Sequence, residues 1–185
     1  MNEEKNYQSI EVILAEQDVP WANDLIGIFQ RHLSKRCQIQ WGHHSTASLL
    51  VELALEPGIG VEGFRIEEVS SGCIRIVGND KLGLRYGIGK FLRTSRYLQD
   101  RFIPSPWRGT SVPARKVRGI YFATHFHNFY HDAPIDQVRE YLEELSLWGY
   151  NALNIWFDMH HYQGIDDPEA RVMIERLKLL LGTAK

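Results

Sequence analysis

Val117-Arg-Gly-Ile-Tyr-Phe-Ala-Thr124 and Asn151-Ala-Leu-Asn-Ile-Trp-Phe-Asp158 decide the fold. Both runs are short, largely apolar and bounded by polar segments, which marks them as strands. Between them lies a polar, aromatic loop over 125–134. Ile135 to Trp148 follows as a helix, with Val138, Leu142, Leu145 and Trp148 on one face. Asp166-Asp167-Pro168 opens a further helix. Strand, loop, helix, strand, loop, helix is two consecutive β/α units, whose strands run parallel. Parallel strands normally have both faces covered, and two alone leave edges and apolar surface open. Residues 116–185 therefore read as the start of a larger parallel array.

Upstream, Pro104, Pro106, Gly109 and Pro113 punctuate a stretch of little periodicity, so 100–115 is expected to be a linker. Residues 1–99 read as a separate α+β domain. Ile10 to Ala15 is a strand. Asp18 is the expected N-cap of a helix over 20–35, with Pro20 in its first turn and Trp21, Leu25, Ile28, Phe29 and Leu33 as its stripe. Leu49 to Leu55 is a strand ended by Pro57-Gly58-Ile-Gly60. Phe64 to Val69 and Cys73 to Val77 are strands flanking the turn signal Ser70-Ser71-Gly72. Gly78-Asn79-Asp80 caps a helix over 81–98, in which Leu84, Ile88, Phe91, Leu92 and Tyr97 share a face. Gly83, Gly87 and Gly89 each cost that helix about 1 kcal/mol against Ala, which predicts close packing of helix on sheet. They form no phosphate loop, because Leu92 stands where a third glycine belongs and no Gly-Lys-Ser/Thr ending follows. The expected fold class is α/β with an α+β N-terminal domain. A mixed-sheet, two-layer domain is followed by two β/α units, which a resemblance to a known family implies are the start of an incomplete TIM barrel.

Composition agrees with a globular chain. Of 185 residues, 44% are hydrophobic and 24% charged, ordinary values for a protein with a real core. A complete (β/α)8 barrel needs roughly 250 residues, too many to stand beside another domain here. Lys plus Arg number 21 against 23 Asp plus Glu, a net charge of −2. No basic excess invites nucleic acid, and the basic residues of 85–101 are interleaved with apolar ones as on an amphipathic helix. Cys37 and Cys73 make no disulfide framework. The polar N-terminus carries no apolar signal region, and no run of about 18 apolar residues suggests a membrane span. A soluble cytoplasmic protein without membrane or nucleic-acid partners is the expectation.

A family resemblance extends this reading. Phe64-Arg-Ile-Glu, then Cys73-Ile-Arg-Ile-Val-Gly-Asn-Asp-Lys-Leu-Gly-Leu-Arg-Tyr-Gly-Ile-Gly-Lys-Phe-Leu92, resembles the small domain that precedes the barrel in family 20 β-N-acetylhexosaminidases and related α-glucuronidases. Arg118-Gly119 is similar to the opening of their first barrel strand, and Gly149-Tyr-Asn151 to the entry of their second. The resemblance implies a glycoside hydrolase acting on oligosaccharides or glycosides. It also implies a catalytic acid pair on barrel strand 4, beyond Lys185, so that these residues alone are expected to be inactive. Ala123 and Phe126 occupy the positions of the family's strand 1 Asp-x-x-Arg, and Asn154 and Trp156 those of its His-x-His.

Candidate site residues follow from where barrels bind ligands, at the C-terminal ends of their strands. Five of the eight histidines fall within 124–132 and 156–162. His125, His127, Asn128, Trp156, Asp158, His160 and His161 are the expected sugar contacts: polar groups bond hydroxyls, and an aromatic ring packs on a pyranose C–H face. Asp158 is expected to orient a sugar or a histidine, and Arg118 to pair an acidic group at the opposite strand end. His125-x-His127 also fits a divalent metal on one side of a strand, with Asp158, His160 or His161 adding ligands. That chemistry needs ligands from later strands, so no metal or cofactor is expected. The alternatives are a non-catalytic carbohydrate-binding module and a homo-oligomer formed through exposed strand edges.

Overall fold

The computed structural model describes residues 5–15, 20–42, 48–124 and 126–184. It divides into two compact units, Met1–Ala114 and Arg115–Lys185. Asp18, the expected N-cap, lies outside the described residues.

The first unit contains β1 (Ser9–Leu14), α1 (Pro20–Ser34), β2 (Gln40–Trp41), β3 (Leu49–Leu55), β4 (Phe64–Ser70), β5 (Cys73–Gly78) and α2 (Lys81–Thr94). Short strands β6 (Arg96–Tyr97), β7 (Phe102–Ile103) and β8 (Gly109–Ser111) complete it. A six-stranded sheet runs in the order β2-β1-β3-β5-β4-β8, with β2, β1, β3 and β5 parallel and β4 antiparallel to both its neighbours. The mixed, mainly parallel sheet is covered by α1 and α2, which also touch each other. Ile10, Val51, Leu53 and Ile76 from the sheet, with Phe29, Leu33, Leu84, Ile88 and Phe91 from the helices, are fully buried. Two of the three glycines of α2, Gly83 and Gly87, have the predicted cause. A Cβ on Gly83 would land on the Gly63 carbonyl oxygen, and one on Gly87 would sit 2.7 Å from the Ile76 side chain.

Two expectations for this unit are corrected. The helix stops at Thr94 rather than 98, because Ser95 turns extended and its hydroxyl bonds back to the Phe91 carbonyl at 2.7 Å. Tyr97 thus leaves the helix for β6 and packs on Phe102, ring centroids 5.5 Å apart. The segment 100–115 is no free linker. Phe102 is fully buried against Phe91 at 5.8 Å and exchanges two backbone hydrogen bonds of 2.8 Å with Tyr7. Ser105 is buried, its N–H donating to Ser95 Oγ, and β8 extends the sheet beside β4. Prolines interrupt the periodicity here without excluding the segment from the core.

The second unit contains β9 (Gly119–Ala123), α3 (Phe129–Asp132), α4 (Ile135–Leu147), β10 (Ala152–Trp156), a single 3-10 turn over Met159–His161 and α5 (Pro168–Ala184). Strands β9 and β10 pair in parallel, Gly119 opposite Ala152 through Ala123 opposite Trp156. Alternation separates the faces. Ile120, Phe122, Leu153 and Ile155 meet a core of Val138, Leu142, Leu145 and Leu180, whereas Tyr121, Asn154 and Trp156 are exposed on the opposite face. Trp148 does not join the apolar stripe as expected. It is the C-cap of α4, outside the helix, and is 59% exposed. The helix ends in paired hydrogen bonds, Gly149 N–H to the Ser146 carbonyl and Tyr150 N–H to the Leu145 carbonyl. That closure requires the left-handed Gly149, at φ +102°.

The start of β9 is clamped to the start of β10. Asn151 Oδ1 accepts from Arg118 N–H at 2.8 Å, and Asn151 Nδ2 donates to the Lys116 carbonyl. The Arg118 guanidinium donates to the carbonyls of Gly149 and Arg115, both at 2.6 Å, since a strand entry just past a helix end presents acceptors that need donors. No helix among the described residues is long and apolar enough to cross a membrane.

Candidate functional site

The polar cluster of the second unit lies where β9 and β10 end. Thr124, 3% exposed, bonds through its hydroxyl to the Trp156 carbonyl, tying the two strand ends together. The chain then reverses into α3. Asn128 caps that turn: its Oδ1 accepts from Tyr130 N–H (3.0 Å) and His131 N–H (3.2 Å), and its Nδ2 donates to the Ala123 carbonyl (2.8 Å). Asn128, one of the expected sugar contacts, thus also ties the end of β9 to the turn that follows it. Tyr130 stacks on Phe122 at 4.2 Å, which anchors α3 over the end of β9.

His127 enters the reversal with a left-handed backbone, φ +48°, costly for a residue with a Cβ. Its N–H donates to His131 Nδ1 at 3.2 Å, and the two imidazoles stack with centroids 4.8 Å apart. Nδ1 of His131 is thereby an acceptor, which places the proton of the neutral ring on Nε2. Asp132 addresses both rings, Oδ2 lying 3.4 Å from His127 Nδ1 and Oδ1 3.8 Å from His131 Nδ1. Burial pushes the His131 pKa below its ordinary value. Asp132 opposes that shift, while His127, Arg176 and His161 reinforce it by repelling a second cation. Arg176 of α5 holds the rim of α3 from below, donating to the carbonyls of Tyr130 and Ala133.

On the second strand, Asp158 caps the 3-10 turn, Oδ1 accepting from His160 N–H at 2.9 Å while Oδ2 lies 3.8 Å from His161 Nε2. His160 and His161 are exposed, and Trp156 is 52% exposed at the C-terminal end of β10. Phe126 and Phe129 add exposed apolar surface beyond β9. His125 lies outside the described residues. The structure thus groups His127 with His131 and Asp132, and Asp158 with His160 and His161. His131 and Asp132 were not expected at the site. The His127-x-x-x-His131 spacing marks one turn of helix, but it signals nothing until α3 is known to exist.

No family model matches the sequence, and no curated protein matches it. Solved structures do resemble the fold. The chitobiase of Flavobacterium johnsoniae superposes over 96% of this chain and 30% of its own, with TM-score 0.62 and 16% identity. A family 138 glycoside hydrolase that targets the pectin rhamnogalacturonan II matches 95% of this chain and 29% of its own, with TM-score 0.64 and 14% identity. An exo-β-N-acetylglucosaminidase of family 20 from Vibrio harveyi matches 81% and 23%, with TM-score 0.60 and 14% identity. At such identity the likeness is one of fold, a glycoside-hydrolase-like one. The chain spans between about a quarter and a third of the length of these neighbours.

Proposed function

We propose that this chain is a portion of a carbohydrate-active glycoside hydrolase, hexosaminidase- or glucuronidase-like. In this reading the first unit is the small accessory domain, and β9 and β10 are the first two strands of a (β/α)8 barrel. One observation carries the reading. The parallel pair exposes the face of Tyr121, Asn154 and Trp156, and that face ends in the histidine and aspartate cluster, the end at which (β/α) barrels bind ligands. Sugar contacts are assigned to His125, His127, Asn128, Trp156, Asp158, His160 and His161. The Trp156 ring would pack on the apolar side of a pyranose, while imidazoles bond its hydroxyls.

Glycoside hydrolysis needs two carboxyl groups flanking the scissile bond. Asp132 and Asp158 are engaged with histidines and a backbone amide, so neither is assigned as the acid. The acid pair is expected from further β/α units of the complete enzyme. Assay of the complete gene product on aryl N-acetylglucosaminides, aryl uronides and uronic-acid oligosaccharides tests the proposal. Hydrolysis of one class, abolished or strongly reduced by Trp156→Ala, is expected; inactivity on all of them would overturn it.

Among the described residues β9 and β10 form a two-stranded sheet of their own, which favours a second reading, a self-associating or carbohydrate-binding module without catalysis. Light scattering of the 185-residue chain separates the two. Dimers whose population grows with concentration support the module, whereas a monomer that melts sharply contradicts open edges as an interface.

A further inference from the structure

Among the described residues, one group of three metal-ligating side chains converges, His127, His131 and Asp132, and its ligand atoms lie within 4.8 Å of one another. The arrangement has a shared direction. The two imidazoles stack with their planes 23° apart, and both Nδ1 atoms face the same carboxylate, each addressed by a different oxygen. From these contacts we propose that His127 Nδ1, His131 Nδ1 and the Asp132 carboxylate hold a divalent transition ion of the zinc class, with water completing the shell. The inference goes beyond the carbohydrate reading and does not rest on it.

The donor set suits such an ion. Two neutral imidazoles and one carboxylate, plus an open position, are the ligands of many zinc sites, at about 2.0–2.2 Å from the metal. Tetrahedral zinc sets neighbouring ligand atoms roughly 3.3 Å apart. The His127–Asp132 pair is already at 3.4 Å. The His127–His131 separation closes by rotation of His127, whose side chain is 82% exposed, and the 3.8 Å His131–Asp132 separation by rotation of Asp132, which is 52% exposed. His131 is held more firmly, with 16% exposure. Its Nδ1 would exchange the 3.2 Å hydrogen bond from His127 N–H for the metal, a long bond and therefore a weak competitor. The site differs from the His125-x-His127 pair that the sequence offers on the first strand. Its ligands come from the loop and α3, all within 127–132, so it needs nothing from a later strand.

Titration of the metal-free 185-residue chain with zinc chloride by calorimetry tests this, together with cobalt(II) as a spectroscopic probe. One equivalent is expected to bind, and cobalt should show the visible absorption of a four-coordinate ion. His127→Ala and Asp132→Asn, both at exposed side chains, should each weaken binding at least about tenfold. His160→Ala, at a neighbouring exposed histidine, should leave affinity unchanged. Absence of saturable binding would overturn the proposal. So would equal affinity in the parent and both ligand variants, which would mark scattered uptake by surface histidines. Circular dichroism of each variant separates loss of ligand from loss of fold. Because zinc alone is the probe, the outcome is distinct from success or failure on any glycoside.

Discussion

Asn79 and Asp80 show how much two adjacent side chains organise. Asn79 Oδ1 accepts from the N–H groups of Gly58, Ile59 and Gly60, at 3.0–3.1 Å. Asp80 caps α2 through Gly83 N–H (2.9 Å) and holds Glu62 N–H (2.7 Å) with its other oxygen. Partial burial of the Asp80 carboxyl acts to raise its pKa, but the bonds from Gly83, Glu62, Asn79 and Leu82 together carry it below the ordinary carboxylate value. A depressed folded pKa contributes stability that is present above the unfolded value, about 3.9, and is lost as pH falls through the folded one. Asp80→Asn keeps an acceptor for the cap but has no proton to take up. Its stability should therefore fall less steeply than that of the parent between about pH 4 and the acid limit, in urea melts run across that range. Asp80→Ala should cost about 1–2 kcal/mol at neutral pH, the upper end of cap losses, because the loop amide is orphaned as well. The cap was legible in the sequence, since Gly-Asn-Asp before an apolar stripe is a helix start. The loop it holds, twenty residues upstream, was not, because a single acceptor serving three amides leaves no periodic trace. The same limit applied at the strand ends, where the capping of α3 by Asn128 leaves no periodic trace either.

At the scale of elements, periodic patterns located the long helices and central strands, and glycines announced where α2 meets the sheet. Propensity and packing pull Gly83 in opposite directions. Alanine gains about 1 kcal/mol of helix propensity, yet its Cβ would meet the Gly63 carbonyl, which is backbone and cannot step aside. Overpacking of this kind costs about 1–3 kcal/mol, so Gly83→Ala should be net destabilising, by a denaturant midpoint shifted downward. The stretch 100–115 was the main misreading. Proline density suppressed the alternation by which β7 and β8 could be seen, and two-residue strands carry too few side chains to show a period. Phe102 nonetheless fills the centre of the aromatic group made with Phe91 and Tyr97. Phe102→Ala should remove about 3–5 kcal/mol, a large share of the 5–15 kcal/mol that typically holds a domain together. A residue in a true linker would change stability by less than about 0.5 kcal/mol, so thermal melting of this one variant decides between the two descriptions.

For the molecule as a whole, the two units bury their strands to different degrees, and that difference should be measurable. In the first unit β3 and β5 are each bonded on both sides, and Val51, Leu53 and Ile76 are inaccessible. In the second, β9 and β10 are bonded, among the described residues, to each other alone, with Tyr121 and Trp156 exposed on the face away from α4 and α5. The sequence carried this contrast, because two β/α units pair two strands and supply helices for one face only. It could not say which side chains would occupy the open face, since that depends on the register of Ala123 opposite Trp156 and a one-residue slip would invert it. Amide exchange follows the free energy of local opening. In a dilute sample the slowest amides should therefore lie in Leu50–Leu53 and Ile74–Val77. Those of Ile120–Phe122 and Leu153–Ile155 should exchange at least about tenfold faster, equivalent to about 1.4 kcal/mol less protection. Raising the protein concentration distinguishes the remaining possibilities. Protection of β9 and β10 that climbs with concentration means a second copy is pairing with the open edges. Protection that stays low means the edges remain solvated, as expected under the proposal that further β/α units pair with them.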